Sequence, residues 1–134
     1  GVQTCALPIS IPEAPFDVVL GGVGAFPATG AVRVVWLEIA GGVDVVSRLH
    51  AETGRRLTQA GFGLEARAFS PHLTLARVPD RERSSVKALR ERLAPVPPVP
   101  VSWHVDRTTL FRSDLSGQVP RYEAVLETPI HLGG

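Results

Sequence analysis

The chain has 134 residues, the length of one domain or one compact two-lobed unit, and 44% of them are hydrophobic, enough for a core. Its 14 Lys and Arg against 13 Asp and Glu leave a net charge of +1, which excludes a broad polyanion-binding face; contact with nucleic acid is expected at a single phosphate or a chain end, not along a duplex. The single cysteine, Cys5, excludes an internal disulfide and fits a reducing compartment, no apolar run reaches the ~18 residues that span a bilayer, and no basic segment marks a signal peptide at the start.

The chain begins with Gly1 and contains no methionine, and the segment through Ser10 carries no charge and no clear periodicity. Residues 1–14 are read as a non-native or disordered tail and 15–134 as a single, incomplete domain. Phe16–Leu20 is β-rich and predicts a short strand that Gly21-Gly22 would break, with Gly24 to Gly30 as a loop. The glycines resemble a phosphate loop only faintly, because no Lys-Ser/Thr follows. Ala31–Ile39 is a strand by its β-branched and aromatic content, and its near-continuous apolarity predicts burial on both faces.

Asp44 is the expected N-cap of a helix over Val45 to Ala60, with Val46, Leu49 and Leu57 on one stripe and Gly61 as the stop. After Phe62–Ala68 comes a strand through His72. Asp80 is expected to cap a second helix, with Val86, Leu89 and Leu93 at helical spacing. Ala94–Pro100 holds four prolines and must be an extended connector. Three strands follow, Val101–Val105, Thr108–Arg112 and Arg121–Glu127, with Gly117 and Pro120 at the turn before the last. The order β-β-α-β-α-β-β-β predicts an α+β fold with largely antiparallel sheets.

The chemistry concentrates in Ser70-Pro71-His72-Leu73-Thr74-Leu75-Ala76-Arg77. On a strand, His72 and Thr74 project to one face. Arg77 falls on the opposite face if the strand is regular, and a bulge or strand end would re-aim it. An imidazole to move protons, with a hydroxyl and a guanidinium to hold phosphate oxygens, suits a phosphodiester. His50 reads as an exposed helix residue, His104 as a strand residue beside Trp103, and His131 as part of the tail. No metal-ligand spacing links them, so no metal site is expected.

The string Phe69-Ser-Pro-His72-Leu-Thr74-Leu-Ala-Arg77, with Gly22–Pro27, Val35-Trp36-Leu37, the later Leu110-Phe111-Arg112-Ser113 and Tyr122, resembles the 2H phosphoesterase superfamily. Within it, the pattern is similar to the bacterial RNA 2′,3′-cyclic phosphodiesterase (2′-5′ RNA ligase-like) family, from about Pro15 onward. The resemblance implies a bilobal fold with antiparallel sheets flanked by helices and one His-x-Thr motif in each lobe. Only one motif is present here, and the first, with its strand and helix, is expected upstream of Gly1. The resemblance further implies His72 and Thr74 as catalytic residues, Thr74 and Arg77 as phosphate contacts, and Phe111 and Tyr122 as base or ribose contacts. The implied substrate is RNA with a 2′,3′-cyclic phosphate end or a small cyclic nucleotide, opened to a 2′-phosphate without metal by a cytoplasmic protein that is monomeric when intact. A ligase direction is part of that implication, and weak or no activity is expected of this chain alone. The alternatives are a non-catalytic phosphate-binding module and a gene fragment with no function.

Overall fold

The computed structural model describes residues 13–82, 88–98 and 101–130. Most of the predicted tail, His131 and Val86 lie outside the described residues. The strands are β1 (Phe16–Phe26), β2 (Val34–Gly41), β3 (His72–Arg77), β4 (Ser102–Val105), β5 (Arg107–Asp114) and β6 (Arg121–Pro129); the helices are α1 (Val43–Gln59) and α2 (Leu89–Leu93). Their order along the chain matches the predicted one, and the fold is α+β with antiparallel sheets, as expected.

The chain divides into two units. One is Asp17–Trp103; the other contains, among the described residues, 13–16 and 104–130. In the first, a sheet in the order β3-β2-β1-β4 places β2 between its two antiparallel neighbours. β4 flanks the other edge of β1, where Leu20 N donates to Val101 O at 2.9 Å. Val18, Leu20, Val32 and Val35 are its buried core.

The expected break at Gly21-Gly22 does not occur. The two glycines sit inside β1 as an irregularity, with the register stepping from Leu20↔Ile39 to Val23↔Leu37. Lacking side chains, they are absorbed as a bulge that bends the strand without ending it. The predicted loop therefore starts later, after Phe26. The reason the strand passes through Gly24 is a close approach: a Cβ there would lie 2.3 Å from Trp36 Cζ2, so only glycine lets the indole lie against this rung. Expected burial of β2 on both faces is also not met; only Val35 is buried, while Val34, Trp36, Leu37 and Ile39 are half-buried.

Helix α1 is capped by Gly42 in the left-handed region (φ 79°), not by Asp44. Gly42 completes the turn from β2, which moves the helix start upstream and leaves Asp44 inside the first turn, bound to Arg48 at 3.1 Å. There its charge still suits the positive end of the helix dipole. The stop is as predicted: Gly61 (φ 89°) follows the last turn, and Ala60 N and Gly61 N donate to Arg56 O and Thr58 O. Asp80 opens a 3₁₀ turn, Asp80–Glu82, and not the expected α-helix; α2 is short, and its Arg90 donates to Pro27 O at 2.7 Å.

The second unit is built on the β5–β6 antiparallel hairpin, whose turn holds Gly117 and Pro120 as expected. Asp114 caps that turn by accepting from Ser116 N and Oγ at 3.0 and 2.7 Å. Ile130 is buried after β6 and donates its N–H to Asp106 O.

Candidate active site on one face of β3

Strand β3 presents His72 and Thr74 to one side of the sheet, as their spacing requires. Cross-strand pairing gives Glu38↔His72, Leu37↔Leu73 and Trp36↔Thr74, and then a shift to Val35↔Ala76 and Val34↔Arg77. Leu75 is the extra residue. Trp36 and Val34 share a face of β2, so their partners Thr74 and Arg77 share a face of β3. The bulge thus carries Arg77 from the Leu73 side to the His72 side. All three line one cavity of about 680 Å³.

The His72 ring is held by one hydrogen bond and by contacts with two aromatic rings. Its Nδ1 lies 2.6 Å from the Ser70 carbonyl oxygen, an acceptor, so Nδ1 carries the proton and donates it. That leaves Nε2 with the lone pair in the neutral ring. Around the imidazole, Phe26 meets it edge-on at 5.1 Å between centroids and Trp36 at 6.0 Å, and those two rings stack on each other at 4.9 Å. Phe26 and Gly24 reach this face because they pair with Val34 and Trp36.

The cavity wall opposite the strand comes from α1 and the loop before β3. It contributes His50, Glu65, Arg67 and Phe69. His50 and Phe69 are stacked nearly parallel, 8° apart with centroids at 3.8 Å. His50 is exposed on α1, as its helical position predicted, but it is not a bystander. No periodicity could have revealed the contact, because it joins a helix to a loop across the fold. Gly54 helps bring that loop close: a Cβ there would lie 3.0 Å from Leu64 Cδ1.

Among the described residues, Arg67 and Arg77 enter no ion pair, whereas Arg48, Arg55, Arg56, Arg107 and Arg112 are each matched to a carboxylate. With Glu65 as the one carboxylate among the described residues that line it, the cavity carries surplus positive charge suited to an anion. No group of three or more His, Cys, Asp or Glu that could hold a metal ion occurs among the described residues. Phe111 and Tyr122 belong to the other unit, on one face of the hairpin, where Phe111 pairs with Ala124 and Ser113 with Tyr122; both rings are exposed. No helix among the described residues is long and apolar enough to cross a membrane.

An imidazole, a hydroxyl and a guanidinium without a carboxylate partner among the described residues thus lie together in one cavity on an α+β frame. The chain belongs to the LigT like Phosphoesterase family, whose model matches residues 39–122 and so includes β3 and the hairpin as far as Tyr122. It is 37% identical over 113 residues to an RNA 2′,3′-cyclic phosphodiesterase of Aeropyrum pernix, covering 84% of this chain and 63% of that protein. A Bacillus subtilis protein of the same name is 31% identical over 113 residues, with 84% and 58% covered. Among solved structures, TT0787 of Thermus thermophilus superposes with a TM-score of 0.58 at 30% identity, covering 90% of this chain and 63% of that one. Escherichia coli LigT complexed with 3′-AMP shares the fold, with a TM-score of 0.64 at 23% identity, over 90% and 62% of the two chains. The chain thus spans a little under two thirds of the length of these relatives.

Proposed function

We propose that the protein opens RNA 2′,3′-cyclic phosphate ends to 2′-phosphates, and that this chain carries the His72 half of the machinery. The observation behind the reading is the convergence of His72, Thr74 and Arg77 on one cavity, with the His72 tautomer fixed by the Ser70 carbonyl. The relatives' shared name, RNA 2′,3′-cyclic phosphodiesterase, supports the choice of substrate.

The reaction adds water to phosphorus and breaks the P–O3′ bond, so one proton leaves the water and one reaches the 3′ oxygen. His72 Nε2, with its lone pair free, takes the water proton in this direction. In the ligating reaction a 5′-hydroxyl takes the place of water as nucleophile and gives its proton to the same nitrogen. The Thr74 hydroxyl donates to a non-bridging oxygen, and Arg77 neutralises the phosphate charge as it builds. A second imidazole, implied by the two-motif pattern of the family, protonates the leaving oxygen. Phe111 and Tyr122 offer exposed rings for a base or ribose. The intact protein acts as a cytoplasmic monomer, and no metal or nucleotide cofactor enters the reaction.

The test is turnover of an oligonucleotide ending in a 2′,3′-cyclic phosphate, with a chelator present. Slow conversion to the 2′-phosphate is expected, falling by about 10²-fold or more in His72→Ala. A 3′-phosphate product, or an unchanged rate in that variant, overturns the reading. Saturable, salt-sensitive binding that weakens in Arg77→Ala without any product would establish a phosphate-binding module instead.

A further inference from the structure

The phosphate-directed residues account for only part of the cavity. A volume of about 680 Å³ lies in the range that takes a ligand of nucleoside size or larger, well beyond one phosphate. The remaining wall holds a second guanidinium, Arg67, and the parallel stack of His50 on Phe69. Arg67 precedes His72 along the chain by as many residues as Arg77 follows it, so the two cations lie to either side of the histidine in sequence. One cyclic phosphodiester carries a single negative charge, which Arg77 answers. Arg67, without an ion pair among the described residues, answers a further one.

The geometry points to a second subsite, formed by Arg67 with the His50–Phe69 stack, that takes the next phosphodiester and a nucleobase of an RNA chain. The site so built reads the end of an oligonucleotide in preference to a mononucleotide. A flat, preassembled ring pair offers a π-surface that any base can extend, so the subsite is tolerant of sequence. The guanidinium fork supplies directional bonds to a backbone phosphate. This inference rests on the reading of His72, Thr74 and Arg77 given above.

Three probes separate the parts when titrated calorimetrically into the full chain: inorganic phosphate, 2′,3′-cyclic AMP, and a trinucleotide ending in a 2′,3′-cyclic phosphate. Affinity is expected to rise in that order. Arg67→Gln is expected to weaken the trinucleotide about tenfold more than cyclic AMP. His50→Ala is expected to weaken both nucleotides at least about fivefold more than inorganic phosphate, and His50→Phe, which keeps a stacked ring, to restore them. Equal affinity for cyclic AMP and the trinucleotide overturns the subsite, and so does indifference of all probes to Arg67→Gln and His50→Ala. The outcome is distinct from failure of the parent reading. In that case Arg77→Gln leaves every probe unaffected, or no probe binds the unmodified chain.

Discussion

At the scale of single residues, the site depends on where rings can sit. Trp36 stacks on Phe26 and reaches the His72 edge, and its buried Nε1 has no hydrogen-bond partner among the described residues. The rung that accommodates it is Gly24. Gly24→Ala would gain about 0.4–1 kcal/mol from a less flexible unfolded chain. Overpacking against the ring, with a Cβ placed 2.3 Å from Cζ2, costs about 1–3 kcal/mol and wins. The variant is expected to unfold at lower denaturant concentration and to bind phosphate more weakly, because Trp36 cannot move without disturbing His72. Unchanged stability and unchanged binding would mean that the indole has room that the structure does not show. This dependence was not legible in the sequence: Gly24 read as a loop residue, because nothing local says that an indole from the next strand will lie against it.

At the scale of elements, the informative one is β3. Alternation told that His72 and Thr74 face the same way, and it also said that Arg77 would face the other way unless the strand was irregular. The bulge at Leu75 settles this in favour of the site. Exchanging the last two residues, Ala76→Arg with Arg77→Ala, keeps composition and charge but moves the guanidinium to the side shared with Val35. Phosphate affinity is expected to fall as far as in Arg77→Ala alone, by about tenfold. If the exchanged chain binds phosphate as tightly as the original, position 76 faces the cavity and the bulge is not there. Alternation by itself carries no mark of a bulge, since any residue can be the extra one, so the strand was readable from its period and its irregularity was not. The same holds for α1. Its existence and its glycine stop followed from periodicity, whereas its first residue followed from the geometry of the turn out of β2, which overrode a better side-chain cap at Asp44.

At the scale of the whole molecule, the element order and the α+β class were legible because each strand and helix is marked by its own period. The cavity wall made by α1 and the loop before β3 was not, since its partners are separated in sequence and meet only through packing. Stability as a function of acidity is also a property of the whole. Glu52 is held down at about 2 by hydrogen bonds from Arg55 first and Arg56 second, against an ordinary value of 4.5. Asp44, Asp106 and Asp114 are lowered by hydrogen bonds from Arg48, Arg107 and Ser116. A carboxyl that binds its proton less readily when folded favours the folded state wherever it is ionised in both states. Its contribution is therefore complete above the unfolded value and is lost as pH falls through the folded one. For Glu52 that window runs from 4.5 down to about 2. The melting temperature is expected to drop on acidification below about pH 5, and the drop to be shallower in Glu52→Gln. A melting temperature that rises across the same window would contradict the assignment.

The bulge in β3 also has a meaning for reading other chains. His72, Thr74 and Arg77 stand two and then three apart, a spacing that belongs to neither an even strand nor a helix. If three side chains must meet one phosphate from a single strand, that uneven count is itself the written trace of an extra residue. A run of His-x-Thr-x-x-Arg with apolar fillers can thus be taken as a strand with a step in it, and the step located, before any coordinates exist.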